Sequence, residues 1–375
     1  MSADEVAEPD RVEGAPHPRE THRLLGQTEA EAAFLDAHAS GRMHHGWLLT
    51  GPRGVGKATL AWRIARFLLA EPPAGDAGLF GAPPAPTTLD VDPEHPVARR
   101  IAAGSEGRLK SIRRSVDDKT GRLRSVIVVD DVRDLKGFFH LSAADGGRRV
   151  VIVDTADEMN PNAANALLKE LEEPPKGAIL LLVSHQPWRL LPTIRSRCRE
   201  LRLQPLGADA LAQALAAAGS PETNAAALAE LAAGSVGEAI RLANLDGVAT
   251  YAELVALFSG VPGLDRQKAL RLAEAGAARG ADQRFDLILT LLETFLARAA
   301  RTGALGAPPP DAVPGEAALL ARLAPSPAAG RAFADLQQEL GARARRGKAV
   351  NLDPAALLLD MVLRIDETAG PLAAR

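Results

Sequence analysis

The sequence predicts an α/β nucleotide-binding domain with a parallel sheet, followed by a helical second half, and three observations support this fold class. A phosphate-loop pattern, G-x-x-x-x-G-K, occupies residues 51–57, between an apolar strand-like stretch and a helix-like run. Continuous β-branched or aliphatic runs at 125–129, 149–153 and 178–183 are typical of parallel strands buried on both faces. From about residue 207 onward, such runs give way to Ala-Leu helical periodicity.

Composition limits the classes of protein to consider. The 375 residues carry 44 basic and 47 acidic side chains, a net charge of −3, which does not indicate a free-standing nucleic-acid binder. Cys198 is the only cysteine, so an internal disulfide and a cysteine-based zinc site are both excluded. With no apolar stretch approaching 18 uncharged residues and no signal pattern, we expect a cytoplasmic protein without membrane partners.

The length allows two or three domains. Residues 1–21 are acidic and proline-bearing without apolar periodicity, and we expect a disordered tail there. The α/β domain is predicted over 22–206, a small helical domain over 207–247 and a larger helical domain over 248–375. Within the α/β domain, a strand at 125–129 should connect through a helix at 132–144 to the strand at 149–153. A Pro/Gly-rich insertion is predicted at 72–96.

The phosphate loop has one departure from the pattern. Its glycines let backbone N–H groups converge on phosphate oxygens, and Lys57 is placed to reach the outer phosphates. The next residue should be Ser or Thr, whose hydroxyl binds Mg²⁺, but it is Ala58. Thr59 comes one residue too late, because one step along a helix turns a side chain by about 100°. The loop therefore predicts binding of ATP or ADP, while Mg²⁺ binding stays open.

The end of the predicted strand at 149–153 shows a second departure. In phosphate-loop ATPases a strand-ending Asp orients magnesium or its water, and a following Glu activates the attacking water. Asp154 matches the first role, but Thr155 is no general base at neutral pH. Asp157 and Glu158 are expected to cap or begin the next helix. Two elements needed for hydrolysis are thus missing together.

Three motifs carry a resemblance to a known family: D-T-A-D-E-M-N at 154–160, A-A-N-A-L-L-K-E-L-E-E-P-P at 163–175 and S-R-C at 196–198. The chain resembles the bacterial DNA polymerase III clamp-loader ATPases of the AAA+ superfamily, and within them the delta-prime subunits. The resemblance is strong over 22–206 and weaker beyond. It implies an AAA+ domain over 22–206, a lid domain over 207–247 and a collar domain over 248–375.

The resemblance also implies roles for individual residues. Arg197 matches the arginine finger that enters the nucleotide site of a neighbouring subunit, the alternative being a structural arginine paired with a carboxylate. Ser184 matches the position that senses the terminal phosphate, and Leu25 and Gly26 match the element bordering the adenine. The remaining nucleotide-binding positions are Gly51, Gly54, Val55, Gly56, Lys57, Ala58, Thr59 and Asp154.

Two further departures from the family are visible. The four-cysteine zinc module common in these ATPases is missing, so no zinc is expected. In the motif at 234–239, Gly237 stands where a sensing arginine is common, and Arg241 is a possible substitute. The segment 95–124 carries nine basic and three acidic residues, and its interpretation stays open between a solvated face and a face for DNA or a partner.

The pattern predicts a non-hydrolysing, stator-like subunit that supplies Arg197 in trans. The resemblance implies a hetero-oligomeric ring with ATP-hydrolysing subunits and a delta subunit, which loads a sliding clamp onto primed DNA. One alternative is an ATP-hydrolysing gamma/tau-like subunit, which should carry Ser or Thr after Lys57 and Glu after Asp154. The other is a stand-alone AAA+ helicase or remodeller, which should show pore-loop or strand-tracking features.

Overall fold

The computed structural model describes residues 8–41, 43–71, 86–140, 147–219, 224–278, 282–350 and 352–373. The chain forms two compact units. The first comprises Met1–Gly219 with Ser235–Gly237, and the second comprises Ser220–Gly234 with Glu238–Arg375. Most of the predicted insertion, residues 72–85, and the end of the helix predicted at 132–144 lie outside the described residues. The predicted boundary between lid and collar domains stays a prediction.

The first unit is built on a five-stranded sheet, which is parallel as the sequence predicts. The strand order is β2-β3-β4-β1-β5, and all four pairings are parallel. Because the strands are parallel, their carboxyl ends meet at one edge, where Thr50 lies in register with Ser184 and Asp154 with Val183. The strands are β1 (Gly46–Thr50), β2 (Leu109–Ile112), β3 (Arg149–Asp154), β4 (Ala178–Ser184) and β5 (Arg199–Arg202).

Helices pack on the sheet, and the helix that follows β3 has a capped first turn. The helix after β3 begins with Pro161, and the Asn160 side chain accepts a hydrogen bond from Ala163 N, so that its first turn is capped. The helices of the first unit are α1 (Thr28–Ala39), α2 (Lys57–Ala70), α3 (Pro96–Ala102), α4 (Val129–Arg133), α5 (Leu135–His140), α6 (Pro161–Glu172), α7 (Pro192–Arg195) and α8 (Ala208–Ala217).

The strand predicted at 125–129 is wrong. Ile127 forms only an isolated parallel bridge with Met159, and helix α4 already begins at Val129. The Asp131 carboxylate accepts a hydrogen bond from Val128 N, which favours a helix start over further extension. The strand beside β3 is instead β2, whose Leu-Lys-Ser-Ile sequence lacks the continuous apolar run that marks the central strands.

The disordered tail predicted at 1–21 is wrong for residues 8–21, which pack within the first unit. The His17 side chain is fully buried, and its Nε2 lies 3.1 Å from Asp10 Oδ2. Arg113 Nη1 donates to Asp10 Oδ1 at 2.7 Å, and the Asp10 side chain is 2% exposed. These polar partners hold a segment whose sequence offers little apolar surface for a core.

The second unit is helical, in agreement with the sequence prediction. Helices α13 and α15 approach closely at Gly303 and Gly330, since a Cβ on Gly303 would lie 2.5 Å from the Gly330 nitrogen. None of the described helices is long and apolar enough to cross a membrane. The remaining helices are α9 (Ala225–Leu231), α10 (Val236–Asn244), α11 (Gly247–Phe258), α12 (Arg266–Gly276), α13 (Asp282–Leu305), α14 (Glu316–Leu323), α15 (Pro327–Ala349) and α16 (Pro354–Ala373).

A buried ionic cluster joins three helices of the second unit. The Glu316 side chain is fully buried, and its Oε1 accepts hydrogen bonds from Arg298 Nε and the Tyr251 hydroxyl, both at 2.6 Å. Its Oε2 accepts from Ala312 N at 2.8 Å. These donors offset the cost of removing the carboxylate from water.

We expect Arg298→Met to destabilise the second unit by about 3–5 kcal/mol, because it leaves the Glu316 charge buried without its counter-charge. The matched control is Arg364→Met, which removes a 2.7 Å ion pair to Glu339, a carboxylate that is 55% exposed. The control should cost less than about 1 kcal/mol. Calorimetric unfolding of both variants measures the difference, and equal losses would contradict this account of the cluster.

Candidate functional site

The phosphate loop connects β1 to α2, and its three glycines all have positive φ. The angles are 138° at Gly51, 75° at Gly54 and 101° at Gly56, a backbone region that disfavours other residues. A Cβ at Gly51 would clash with the Leu203 carbonyl, and one at Gly54 with the Ser235 hydroxyl. The pattern recognised in the sequence therefore corresponds to a tightly folded loop at the amino end of α2.

The Lys57 ammonium group lies inside this loop. Lys57 is the first residue of α2 and is 3% exposed. Its Nζ donates to the Gly51 carbonyl at 2.7 Å and also to the Pro52 carbonyl. Burial lowers the pKa of Lys57 to about 8, although nearby Asp154 and Asp157 oppose this shift. The loop's own carbonyl groups thus accept two of the three N–H donors that the Lys57 ammonium group carries.

Asp154 ends β3 at the same edge of the sheet. Burial, together with Asp10 and more weakly other neighbouring carboxylates, raises the pKa of its carboxyl group to about 7, although Lys57 opposes this shift. Thr155 is buried beside it. The structure therefore places Asp154 and Lys57 within electrostatic reach of each other, and Ala58 offers no oxygen for a metal between them.

Ser184 and His185 follow on the neighbouring strand β4. The Ser184 side chain is fully buried, and its hydroxyl has no hydrogen-bond partner in the described part of the chain. His185 N donates to Asp157 Oδ1 at 2.9 Å. Burial lowers the pKa of His185 to about 4, as does its proximity to Lys57. His185 is not among the residues predicted from the sequence, although its position directly after a strand at the carboxyl edge was a usable signal.

Gln27 connects the predicted adenine-bordering element to the loop. Its Nε2 donates to the carbonyls of Val55 and Gln204, at 3.1 and 2.8 Å, and its Oε1 accepts from Gln204 N at 3.1 Å. Leu25 and Gly26 precede it, directly before α1. Gln27 thus positions both the loop and this element, a role the sequence did not single out.

Gly237, at the position of the missing sensing arginine, packs directly on the phosphate loop. Its N–H donates to the Gly54 carbonyl at 3.1 Å, and a Cβ there would lie 3.2 Å from the Gly54 Cα. A longer side chain at this position would require the loop to move. In the second unit, the Arg241 guanidinium donates to Glu238 at 2.6 and 3.0 Å.

Arg197 follows α7 and keeps a partly exposed guanidinium group. Its Nη1 donates to the Thr193 carbonyl at 3.0 Å, and its Nη2 lies 2.9 Å from Glu172 Oε1. The two side chains are 37% and 42% exposed, so this ion pair contributes about 1 kcal/mol or less. Arg197 can exchange Glu172 for another anion at small cost.

Burial raises the pKa of the adjacent Cys198 thiol to about 12, so a nucleophilic thiolate is not formed at neutral pH.

The basic segment at 95–124 is largely paired within the first unit, which favours the solvated and structural interpretation over a DNA-facing patch. Each pairing brings the basic group within 4 Å of a carboxylate. The pairs are Arg99 with Glu94, Arg100 and Arg108 with Glu106, Lys110 with Asp134, Arg113 with Asp10, Arg114 with Glu158, and Arg124 with Asp117.

Among the described residues, no His, Cys, Asp and Glu cluster is arranged to hold a metal ion.

Comparison with known proteins agrees with these motifs. A family model described as "DNA polymerase III, delta subunit" matches residues 26–207. The chain is 40% identical over 224 residues to the Pseudomonas aeruginosa "DNA polymerase III subunit delta'", a match that covers 60% of this chain and 62% of that relative. Over this region the chain is similar to subunits of the DNA polymerase III clamp loader. The delta-prime resemblance predicted from the sequence is confirmed.

Other clamp-loader relatives match over shorter shares of their length. The Bacillus subtilis "DNA polymerase III subunit delta'" is 30% identical over 58% of this chain and 59% of its own length. The Escherichia coli "DNA polymerase III subunit tau" is 31% identical over 50% of this chain and 26% of its own length. The chain thus spans less than two thirds of the length of these curated relatives.

The loop lacks one group that a magnesium–nucleotide complex needs, the hydroxyl after the lysine. Ala58 supplies no magnesium ligand, and Lys57 already donates to two loop carbonyls. Gly237 and Ser235 pack against Gly54 so closely that Gly54 has no space for a Cβ atom. We therefore assign no hydrolytic step to this loop.

The raised pKa of Asp154 predicts a pH dependence of stability. The folded carboxyl group titrates near pH 7 rather than at 3.8, so its ionisation is disfavoured in the folded state and stability falls as pH rises through this window. Relative to Asp154→Asn, the wild type should lose about 3 kcal/mol between pH 4 and 7. Lys57, whose pKa is about 8, stays charged throughout.

Tryptophan fluorescence during urea unfolding measures this effect, because all three tryptophans of the chain, at positions 47, 62 and 188, lie in the first unit. The asparagine variant keeps the shape of the side chain but does not titrate, and so serves as the reference. A stability difference that stays constant from pH 4 to 7 would contradict the assigned pKa.

Proposed function

We propose that this chain is a non-hydrolysing, stator-like delta-prime subunit of a DNA polymerase III clamp loader. The observation that carries the proposal is an asymmetry between two sets of residues. The groups that would act on the chain's own nucleotide are replaced by Ala58, Thr155 and Gly237. Arg197, which would act on a neighbour's nucleotide, is retained and partly exposed.

In this proposal Arg197 acts as a trans arginine finger. Its planar guanidinium would neutralise charge that develops on the phosphoryl group transferred in the adjacent subunit. The Thr193 carbonyl, which accepts from Nη1, orients the side chain, while the weak ion pair to Glu172 leaves Nη2 exchangeable. Such an arrangement activates a neighbour without any cofactor at the chain's own loop.

The proposed partners are those of a clamp-loader ring. They are ATP-hydrolysing gamma/tau subunits, a delta subunit, the sliding clamp and, through the assembly, primed DNA. The matches to proteins named delta-prime and tau support this assignment. The match to tau also keeps a gamma/tau-like, ATP-hydrolysing subunit as the second candidate, although Ala58 and Thr155 argue against it.

We expect Arg197→Ala to slow clamp loading by a reconstituted ring at least tenfold, because an arginine finger contributes about 10³–10⁵ to the rate at the site it completes. The control is Arg195→Ala, an exposed arginine two residues earlier in α7, which should load clamps at the wild-type rate. Clamp loading is followed by fluorescence, together with ATP turnover on primed DNA.

Two results would reject the stator proposal. One is equal loading rates for the Arg197→Ala and wild-type rings. The other is ATP turnover by the isolated chain that disappears in Lys57→Ala, which would establish the gamma/tau-like alternative.

A further inference from the structure

Residues 8–24, here called the N-terminal segment, contact the phosphate loop region at both ends. Near its beginning, a Val12 methyl group lies 3.5 Å from the point that a Cβ added to Gly237 would occupy. Gly237 is the residue whose N–H donates a hydrogen bond to the loop. Near its end, Leu24 Cδ1 lies 2.5 Å from the position of a Cβ on Gly56. The segment therefore covers the loop from two directions, using only residues of the first unit.

Asp10, two residues before Val12, lies at the carboxyl edge of the sheet. It is bound by Arg113, which directly follows β2, and it is close enough to Asp154 at the end of β3 to raise the pKa of that carboxyl group. In phosphate-loop ATPases this edge receives the metal and the terminal phosphate. The Asp10 carboxylate, although paired with Arg113, adds negative charge beside Asp154 and so disfavours a phosphate group there.

Helix α2 anchors the middle of the segment. The anchors are one aromatic contact and two hydrogen bonds from buried arginines to backbone carbonyls. They are the edge-on contact of the His17 ring with Trp62 at 5.8 Å between ring centroids, the donation from Arg66 Nη2 to the Arg19 carbonyl at 2.7 Å, and the donation from Arg63 Nη1 to the His22 carbonyl. Since α2 begins at Lys57, these contacts fix the segment to the helix that carries the loop's lysine.

We propose that the N-terminal segment is a built-in plug, which closes the chain's own phosphate loop and excludes nucleotide until the segment is released. This goes beyond the stator assignment and does not depend on Arg197. It explains how the loop can keep its glycines and its lysine without acting as a nucleotide site. Binding of nucleotide and closure of the segment are then mutually exclusive states.

The test combines two measurements on the full chain. Hydrogen–deuterium exchange reports whether residues 8–24 are protected, and equilibrium dialysis with radiolabelled ATP, with and without Mg²⁺, reports binding. The plug variant is Asp10→Ala/His17→Ala, with Arg113→Gln as a second variant in case the first fails to fold. The matched control is Asp117→Ala/Arg124→Ala, which removes another aspartate–arginine pair of the first unit.

We expect the segment to be protected in the wild type and the control, with ATP binding weaker than about 1 mM. Both plug variants should expose the segment and bind ATP at least tenfold more tightly. The proposal is overturned by rapid exchange of residues 8–24 in the wild type, or by tight ATP binding while the segment stays protected. It is equally overturned if the plug variants leave the segment protected, or release it without a gain in affinity.

Discussion

The structure of the first unit depends on one constraint, the convergence of parallel strand ends at a single buried edge. Strand β1 lies between β4 and β5, so helix α2 begins beside the ends of β3 and β4, and Lys57 and Asp154 come within reach of each other. Charged groups at such an edge need partners. In this chain the partners come from the protein itself: loop carbonyls for Lys57, and a network of Arg113, His17 and Asp10 at the same edge.

Backbone packing occupies the position where the sensing arginine is missing. Gly237 lacks the arginine side chain, and in addition its N–H donates a hydrogen bond to the Gly54 carbonyl and its Cα lies against the loop. Restoring a long side chain at that position would therefore not restore a sensor without moving the loop. Arg197 keeps a partly exposed guanidinium with weak ties to Glu172. The proposed stator combines a closed site of its own with an arginine that acts on a neighbour.

The sequence predicts those features whose signals are local. The glycines at 51, 54 and 56, the buried strands β3 and β4 and the helical second half follow from residue type and periodicity. Strand β2 could not be predicted because Leu-Lys-Ser-Ile has neither a continuous apolar run nor a regular alternation, whereas the apolar run at 125–129 has the composition of a strand. The packed segment at 8–21 was missed because distant partners, Arg113 and Trp62, hold it in place.

A cryo-electron microscopy map of the assembled ring with a non-hydrolysable ATP analogue tests the stator role of Arg197 and the plug formed by residues 8–24 most directly. The account predicts nucleotide density in the adjacent subunit within hydrogen-bonding distance of Arg197. It also predicts no nucleotide at Lys57, with residues 8–24 in the place described above. Nucleotide density at Lys57 with the segment displaced, and Arg197 still paired with Glu172, would contradict the account.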